Sequence, residues 1–356
     1  MTSHERMTRF MSRQPHDRIP VYEHFWGDTV RHYREQGHLG PNEGMGDHFD
    51  YDIHAAGAIN FVADLDFVRQ RVSEDADTYA ELDGNGAILR RHKWNETTPE
   101  HVDFTIKDYS GWKELKKLLK PEERRINFEG YRNARQRAQI FDKYFCFSLL
   151  HVFELMHPVI GHETMLACMA LEPDFIQDMC ETYCNLLLEL QHMLFEREGY
   201  PDAIWYYEDL GFKGRPFMSP AMFNEYLVPW YKKTFDYAHS HDMPVILHSC
   251  GYIEPLLDGL VEAGIDCLQV IEVKAGNDLL RIYEKYGDRL SFMGGIDVRA
   301  IYSNDRATID AELEAKIPIV KGNYGFCLHS DHSIPKTVDF EAYEYFVKRG
   351  IELGTY

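Results

Sequence analysis

His248 and Cys250 end a short apolar run in VILHSCG, residues 245–251. In an extended chain, residues i and i+2 project to the same side. Both side chains can therefore reach one ion, and Gly251 lets the chain turn sharply past it. Zinc takes nitrogen and sulfur donors tetrahedrally, and a catalytic zinc keeps one position open. The pair supplies two donors, so a third must come from elsewhere: Cys327, His332 or Glu208. The competing reading is packing. Cysteine is among the most buried residue types, and His248 would then bond a substrate or a carboxylate. Two donors without a defined third leave both readings open.

Other polar residues stand at the ends of apolar runs. They are His24 and Trp26, His151 and Glu154, Glu208 and Asp209, then Glu272 and Asp297, and finally Cys327, His329, Asp331 and His332. Glu208 and Asp209 close the run AIWYY, where a charged pair reads as functional. Neighbours on a strand face opposite ways, so only one of the two need reach a cleft. His329 and His332 are metal-ligand types, although loop histidines are more commonly surface residues. Cys180 and Cys184 stand four apart on a helix with Leu187 and Leu188 and read as core. Cys146, Cys168 and Cys267 lie in apolar runs and read as packing.

These residues need elements to hold them. RIPVYEHFW, ending at Trp26, reads as a first buried strand after a helix over HERMTRFMSRQ. Residues 67–106 alternate polar and apolar, with turns at ELDGNGA and NETTPE, and read as a hairpin excursion. A helix over GWKELKKLL follows. From residue 144 onward, strand-like runs (YFCFSLLHVF, AIWYYEDLGF, MPVILHSCG, IDCLQVIEV, LSFMGGID, YGFCLHSDHSIP) alternate with amphipathic helices. One of those helices runs from SPAMF to HSHD. Such alternation predicts parallel strands with crossover helices. Count and length favour a single α/β domain over 1–356, a (β/α)8 TIM barrel with an N-terminal helical and hairpin excursion. Its active site would lie at the C-terminal ends of the strands. No G-x-G-x-x-G follows a strand, which argues against a dinucleotide fold.

The chain has 356 residues, 44% of them hydrophobic, and a formal net charge of −20. That charge makes nucleic acid and anionic membranes poor partners. No apolar run approaches the ~20 residues of a membrane span, and no secretory signal is visible. Seven cysteines without framework spacing fit a reducing cytoplasm.

Taken together, HERMTRFMSRQPHDRIPVYEHFWGDT, TTPEHVDFTIKDYSGW, YYEDLGFKGRPFMSPAMFNEYLVPWYKK, VILHSCGYIEPLLDGLVEAGIDCLQVIEVKAGNDLL, YGDRLSFMGGIDVRAI and SDHSIP resemble the uroporphyrinogen decarboxylase superfamily. The resemblance covers essentially the whole chain and implies a (β/α)8 barrel with its cleft at the C-terminal face. The arginine-rich motif of the true decarboxylases is missing: after Pro20 the chain reads VYEHFWGDTVRHYREQG. The chain is more similar to the corrinoid-linked methyltransferase branch. That resemblance implies zinc bound by His248 and Cys250, with a late ligand at Cys327 or His332, the latter slightly favoured by position. It implies methyl transfer between a small methylated substrate, an aryl methyl ether among the candidates, and cobalamin on a separate corrinoid protein. No D-x-H-x-x-G motif occurs here to carry the corrinoid. Glu208, Asp209 and Asp297 are the expected acid–base groups; His24, Trp26, Glu154 and Glu272 are the expected substrate contacts. Two alternatives stand beside this one: a metal-free lyase or decarboxylase using His248, Asp297 and Glu208, and a small-molecule-binding barrel without chemistry. Homodimers are common in the superfamily, and nothing in the residues specifies one.

Overall fold

Strands covered on both faces are written as unbroken apolar runs, and the central sheet follows that rule in all but its first strand. The computed structural model describes every residue except 95–97. Along the chain, β1 spans Ile53–Ala56; β2 Gln70–Glu74, β3 Thr78–Leu82, β4 Ala87–His92 and β5 Glu100–Phe104 follow. Then come β6 Tyr144–Leu150, β7 Ala203–Glu208, β8 Gly211–Phe212, β9 Arg215–Pro216 and β10 Val245–Ser249. The last are β11 Cys267–Val270, β12 Ser291–Gly294 and β13 Phe326–Cys327. Seven of these form one parallel sheet in the order β1-β6-β7-β10-β11-β12-β13. The register aligns His248 with Tyr207 on one side and Gln269 on the other.

The run ending at Trp26 is extended but makes only isolated bridges, Arg18 to Thr355 antiparallel and Val21 to Leu328 and Phe25 to Ile334 parallel. Pro20 lacks an N–H, so the ladder is interrupted there. The segment still touches both edges of the sheet. Tyr22 N donates to Leu328 O at 3.1 Å, and Asp52 N donates to Val21 O at 3.0 Å. The first strand of the parallel sheet is instead β1, whose two alanines and flanking polar residues hide it in the sequence.

Inside the curled sheet, Cys146, Trp205, Ile246, Cys267, Met293 and Cys327 form an apolar floor. Met7, Phe10 and Met11 of the N-terminal helix Ser3–Met11 pack against it. The outer apolar faces of the strands meet the helices in a second, larger core. The polar residues are thus left at the C-terminal strand ends, as expected for this architecture.

The excursion is larger than a hairpin: β2–β5 make a four-stranded antiparallel sheet. The predicted turn at NETTPE falls partly on residues 95–97, outside the described residues. The run read as a strand through Phe153 stops at Leu150, and a helix begins at Val152 and runs to Leu171. This helix carries no polar stripe and contains Pro158, which conceals it from pattern reading. It kinks at Gly161, at φ 75°. A Cβ there would meet the Phe104 ring at 2.5 Å, so the missing side chain is what lets the excursion sheet dock. The helix expected from SPAMF to HSHD is two, Pro220–Tyr226 and Val228–His239, parted at Leu227 ahead of Pro229. Among the described residues, no helix is long and apolar enough to cross a membrane.

Candidate metal and substrate site

β7 ends at Glu208 and β10 at Ser249, so Asp209 and Cys250 follow the ends of adjacent strands. A carboxylate oxygen of Asp209, a ring nitrogen of His248 and the Cys250 sulfur lie within 4.8 Å of one another. His248 Nε2 is 3.3 Å from Cys250 Sγ and 3.6 Å from Asp209 Oδ1. Among the described residues this is the one group of three such donors. Nitrogen, sulfur and oxygen donors in one cluster suit zinc, and three protein ligands leave a fourth position free. The side chain of Asp209 is 46% exposed, so the group faces the mouth and not the floor.

The ring of His248 is held from behind. Its Nδ1 donates to Gln269 Oε1, which leaves Nε2 with the free lone pair. Gln269 Nε2 in turn donates to His329 Nε2 at 3.3 Å, and His24 Nδ1 lies 3.1 Å from that nitrogen. Tyr207 OH is 3.0 Å from His24 Nε2, and its ring packs on His248 with centroids 4.9 Å apart. Burial pushes His329 down to about 3 and His24 well below the usual histidine range, so both rings stay neutral. Burial likewise raises Glu23, which accepts from the Ser330 and His24 amides, to about 8.

Gly251 follows the pair for a steric reason. It sits at φ +80°, and a Cβ there would lie 2.1 Å from the Gly211 carbonyl. Its N–H donates to Glu272 Oε2 at 2.7 Å, which is the structural use of Glu272. Asp209 is held below its usual range: burial opposes ionisation, but the His248 ring and the Cys250 amide outweigh it. Cys250 is pushed well up by burial and by the Asp209 and Glu272 charges.

Glu208 does not reach the cleft. It is fully buried and accepts from His151 Nδ1 at 2.9 Å, Phe153 N at 3.0 Å, Glu154 N at 2.6 Å and Tyr231 OH at 2.5 Å. Three of these donors meet Oε1 and the Glu154 amide meets Oε2, so the carboxylate anchors the start of the Val152–Leu171 helix. Glu154 bonds His157 Nε2 at 2.8 Å through Oε1, while its buried Oε2 has no partner. Burial first, then the Asp209 and Glu208 charges, push Glu154 up to about 9.

The remaining expected residues lie elsewhere. Cys327 belongs to the apolar floor, its thiol directed at Leu328 O. His332 stands beside Trp26, ring centroids 6.3 Å apart, and joins no donor cluster. Asp297 caps the helix Val298–Tyr302 and is engaged twice over by Arg299. Asp331 accepts from Val273 N and Val298 N, both at 2.8 Å, and ties two loops. His329 is fully buried, not a surface loop residue. Gln269 was passed over by sequence reasoning. Its signal was there: a lone amide inside the apolar run IDCLQVI, one strand away from His248.

A cavity of about 490 Å3 opens beside this group at the ends of β1, β6 and β7. Tyr207 forms one wall, Leu155 and Pro158 another, and Asn85, from the turn between β3 and β4, reaches in from the excursion.

Residues 151–352 match the family described as Uroporphyrinogen decarboxylase (URO-D). No curated protein matches the chain in sequence. Among solved structures, a methyltransferase from Methanosarcina mazei is similar over 99% of both chains, with TM-score 0.69 and 14% identity. At that identity the likeness is one of fold. A Prevotella bryantii endo-beta-mannanase/endo-beta-glucanase is much less similar, with TM-score 0.37 and 10% identity over 64% of this chain and 39% of that one.

Proposed function

The chain belongs to the uroporphyrinogen decarboxylase family, and on that premise we propose that it is a zinc-dependent methyltransferase. It would move a methyl group between a small methylated substrate, such as an aryl methyl ether, and a corrinoid carried by a partner protein. One observation carries the reading: Asp209, His248 and Cys250 converge at adjacent strand ends with their donor atoms within 4.8 Å. With residues 18–26 counted as a stave between β13 and β1, the sheet reads as an eight-stranded barrel with this group in its mouth.

Zinc held there would supply Lewis acidity to the oxygen that carries the methyl group. The chain's own residues do the remaining work. Gln269 fixes which nitrogen His248 presents. Cys250 would contribute one thiolate and Asp209 a harder carboxylate in place of a second thiolate, a donor set that suits ether cleavage better than thiol activation. Glu154, with a buried oxygen free of partners, is placed to hold the proton that the departing oxygen takes up. In demethylation the C–O bond would break and oxygen would keep its electron pair and gain that proton; a reduced corrinoid, when supplied by a partner, would provide the electron pair that takes the methyl group. Decarboxylation of a polycarboxylate would call for cationic side chains, and none lines the cavity beside the group.

The test is metal content, on protein purified without a histidine tag, together with methyl transfer from 2-methoxyphenol to free reduced cobalamin. About one zinc per chain, lost in Cys250→Ala together with transfer, is the expected result. Equal metal content in wild type and Cys250→Ala would overturn the ligand assignment. Loaded protein inert toward methyl ethers and thiols alike would overturn the activity.

A further inference from the structure

The cavity beside Tyr207 has a character of its own. Its walls include Ile59, Phe61, Val62, Leu150, Leu155 and Pro158, and no lining residue carries a charge at neutral pH. Its volume, about 490 Å3, lies within the range of small-molecule sites. Four polar side chains line it: Tyr207, whose hydroxyl is taken by His24, and Asn60, Asn85 and Ser148. The Asn60 carbonyl accepts from Val62 N at 2.9 Å, and the Asn85 carbonyl accepts from Ala63 N at 2.8 Å. Those bonds fix the orientation of both amides and leave their NH2 groups to donate. Among the described residues, neither NH2 group nor the Ser148 hydroxyl has a hydrogen-bond partner.

We propose that this cavity binds an uncharged molecule with a ring-sized apolar body and an acceptor oxygen, and that Asn85 of the excursion selects it. Donors without charge reward a neutral acceptor. An anion would lose its hydration in an apolar cleft that has no cation to replace it, on a chain of net charge −20. The occupant would have one end against Tyr207, whose opposite neighbour is His248. Asn60, Asn85 and Ser148 all precede residue 151, where the family-matched segment begins. The polar donors proposed to choose the ligand therefore lie outside the matched segment, while Leu155, Pro158 and Tyr207 within it complete the walls. Which atom reacts rests on the methyl-transfer reading; that the molecule binds does not.

The experiment is calorimetric titration of chelator-treated protein with 2-methoxyphenol and, separately, with benzoate. Wild type is expected to bind 2-methoxyphenol one to one and benzoate at least tenfold more weakly. Asn85→Asp keeps the acceptor for Ala63 N and removes the donor, so affinity for 2-methoxyphenol should fall at least tenfold. Leu150→Trp fills the cavity from a position already 41% exposed, so it should abolish binding while leaving the fold intact. Unchanged affinity in both variants, or benzoate binding as well as the neutral probe, overturns the proposal. The two readings fail separately. Binding without methyl transfer in zinc-loaded protein removes the activity and keeps the pocket. Transfer with KM unmoved by either variant keeps the activity and removes the pocket.

Discussion

Nε2 of His248 lies 3.3 Å from the sulfur of Cys250, two residues away on one strand end, and 3.6 Å from Asp209 on the next. Donors gathered that closely act as a set. His248→Ala and Cys250→Ala should each weaken zinc binding by more than ~100-fold, beyond the range of outer-sphere changes. Asp209→Asn should weaken it less, because an amide oxygen can still reach the ion. Competition titration against a chromogenic chelator gives the ranking. An Asp209→Asn protein that binds as weakly as Cys250→Ala would contradict it.

Gln269 should matter without touching metal. Gln269→Leu keeps the volume but frees the His248 ring to rotate or change tautomer. Zinc affinity is expected to fall ~10–100-fold, as for other partners of ligating histidines. Folding stability should drop by about 1–3 kcal/mol for the lost buried hydrogen bonds. A loss of stability with affinity intact would assign Gln269 to packing alone.

Gly251→Ala places a Cβ 2.1 Å from a backbone carbonyl at φ +80°. Backbone cannot retreat as a side-chain tip can. The cost should exceed ~2 kcal/mol in urea unfolding. A value below about 1 kcal/mol would mean that the β7–β8 turn moves aside freely.

Glu23 predicts a pH dependence. Its carboxyl is raised by burial to about 8, against ~4.3 in an unfolded chain. The folded chain therefore holds a proton that the unfolded chain has shed. Stability from this group is complete below ~4.3 and is lost as pH rises through about 8. His329, whose Nδ1 lies 3.3 Å from it, is lowered by burial to about 3 and remains neutral throughout that window. Glu23→Gln should show a flatter decline in Tm between pH 5 and 8.5 than wild type. Parallel curves would refute the raised value.

The parallel sheet was legible because buried strands are apolar on both faces, as in β10 and β12. β1 was not, since IHAA carries no such run. The Val152–Leu171 helix was not, because it is buried on most sides and broken by Pro158 and Gly161. At the site, i and i+2 geometry gave His248 and Cys250 directly. Asp209 as their companion needed the register of β7 against β10, which spacing cannot supply. Cys327 looked like a ligand because its chemistry is right, and only the sheet's inward alternation places it in the floor.

The carboxylate of Glu208 grips the first amides of the helix that carries Glu154, Leu155 and His157. A residue in that position imitates a catalyst under mutational scanning. Removing it would loosen the cavity wall and displace Glu154 together, silencing turnover although no substrate atom ever meets it. A screen scored by activity alone would rank Glu208 with Cys250. Thermal stability and metal content, read side by side, would tell the keystone from the tool.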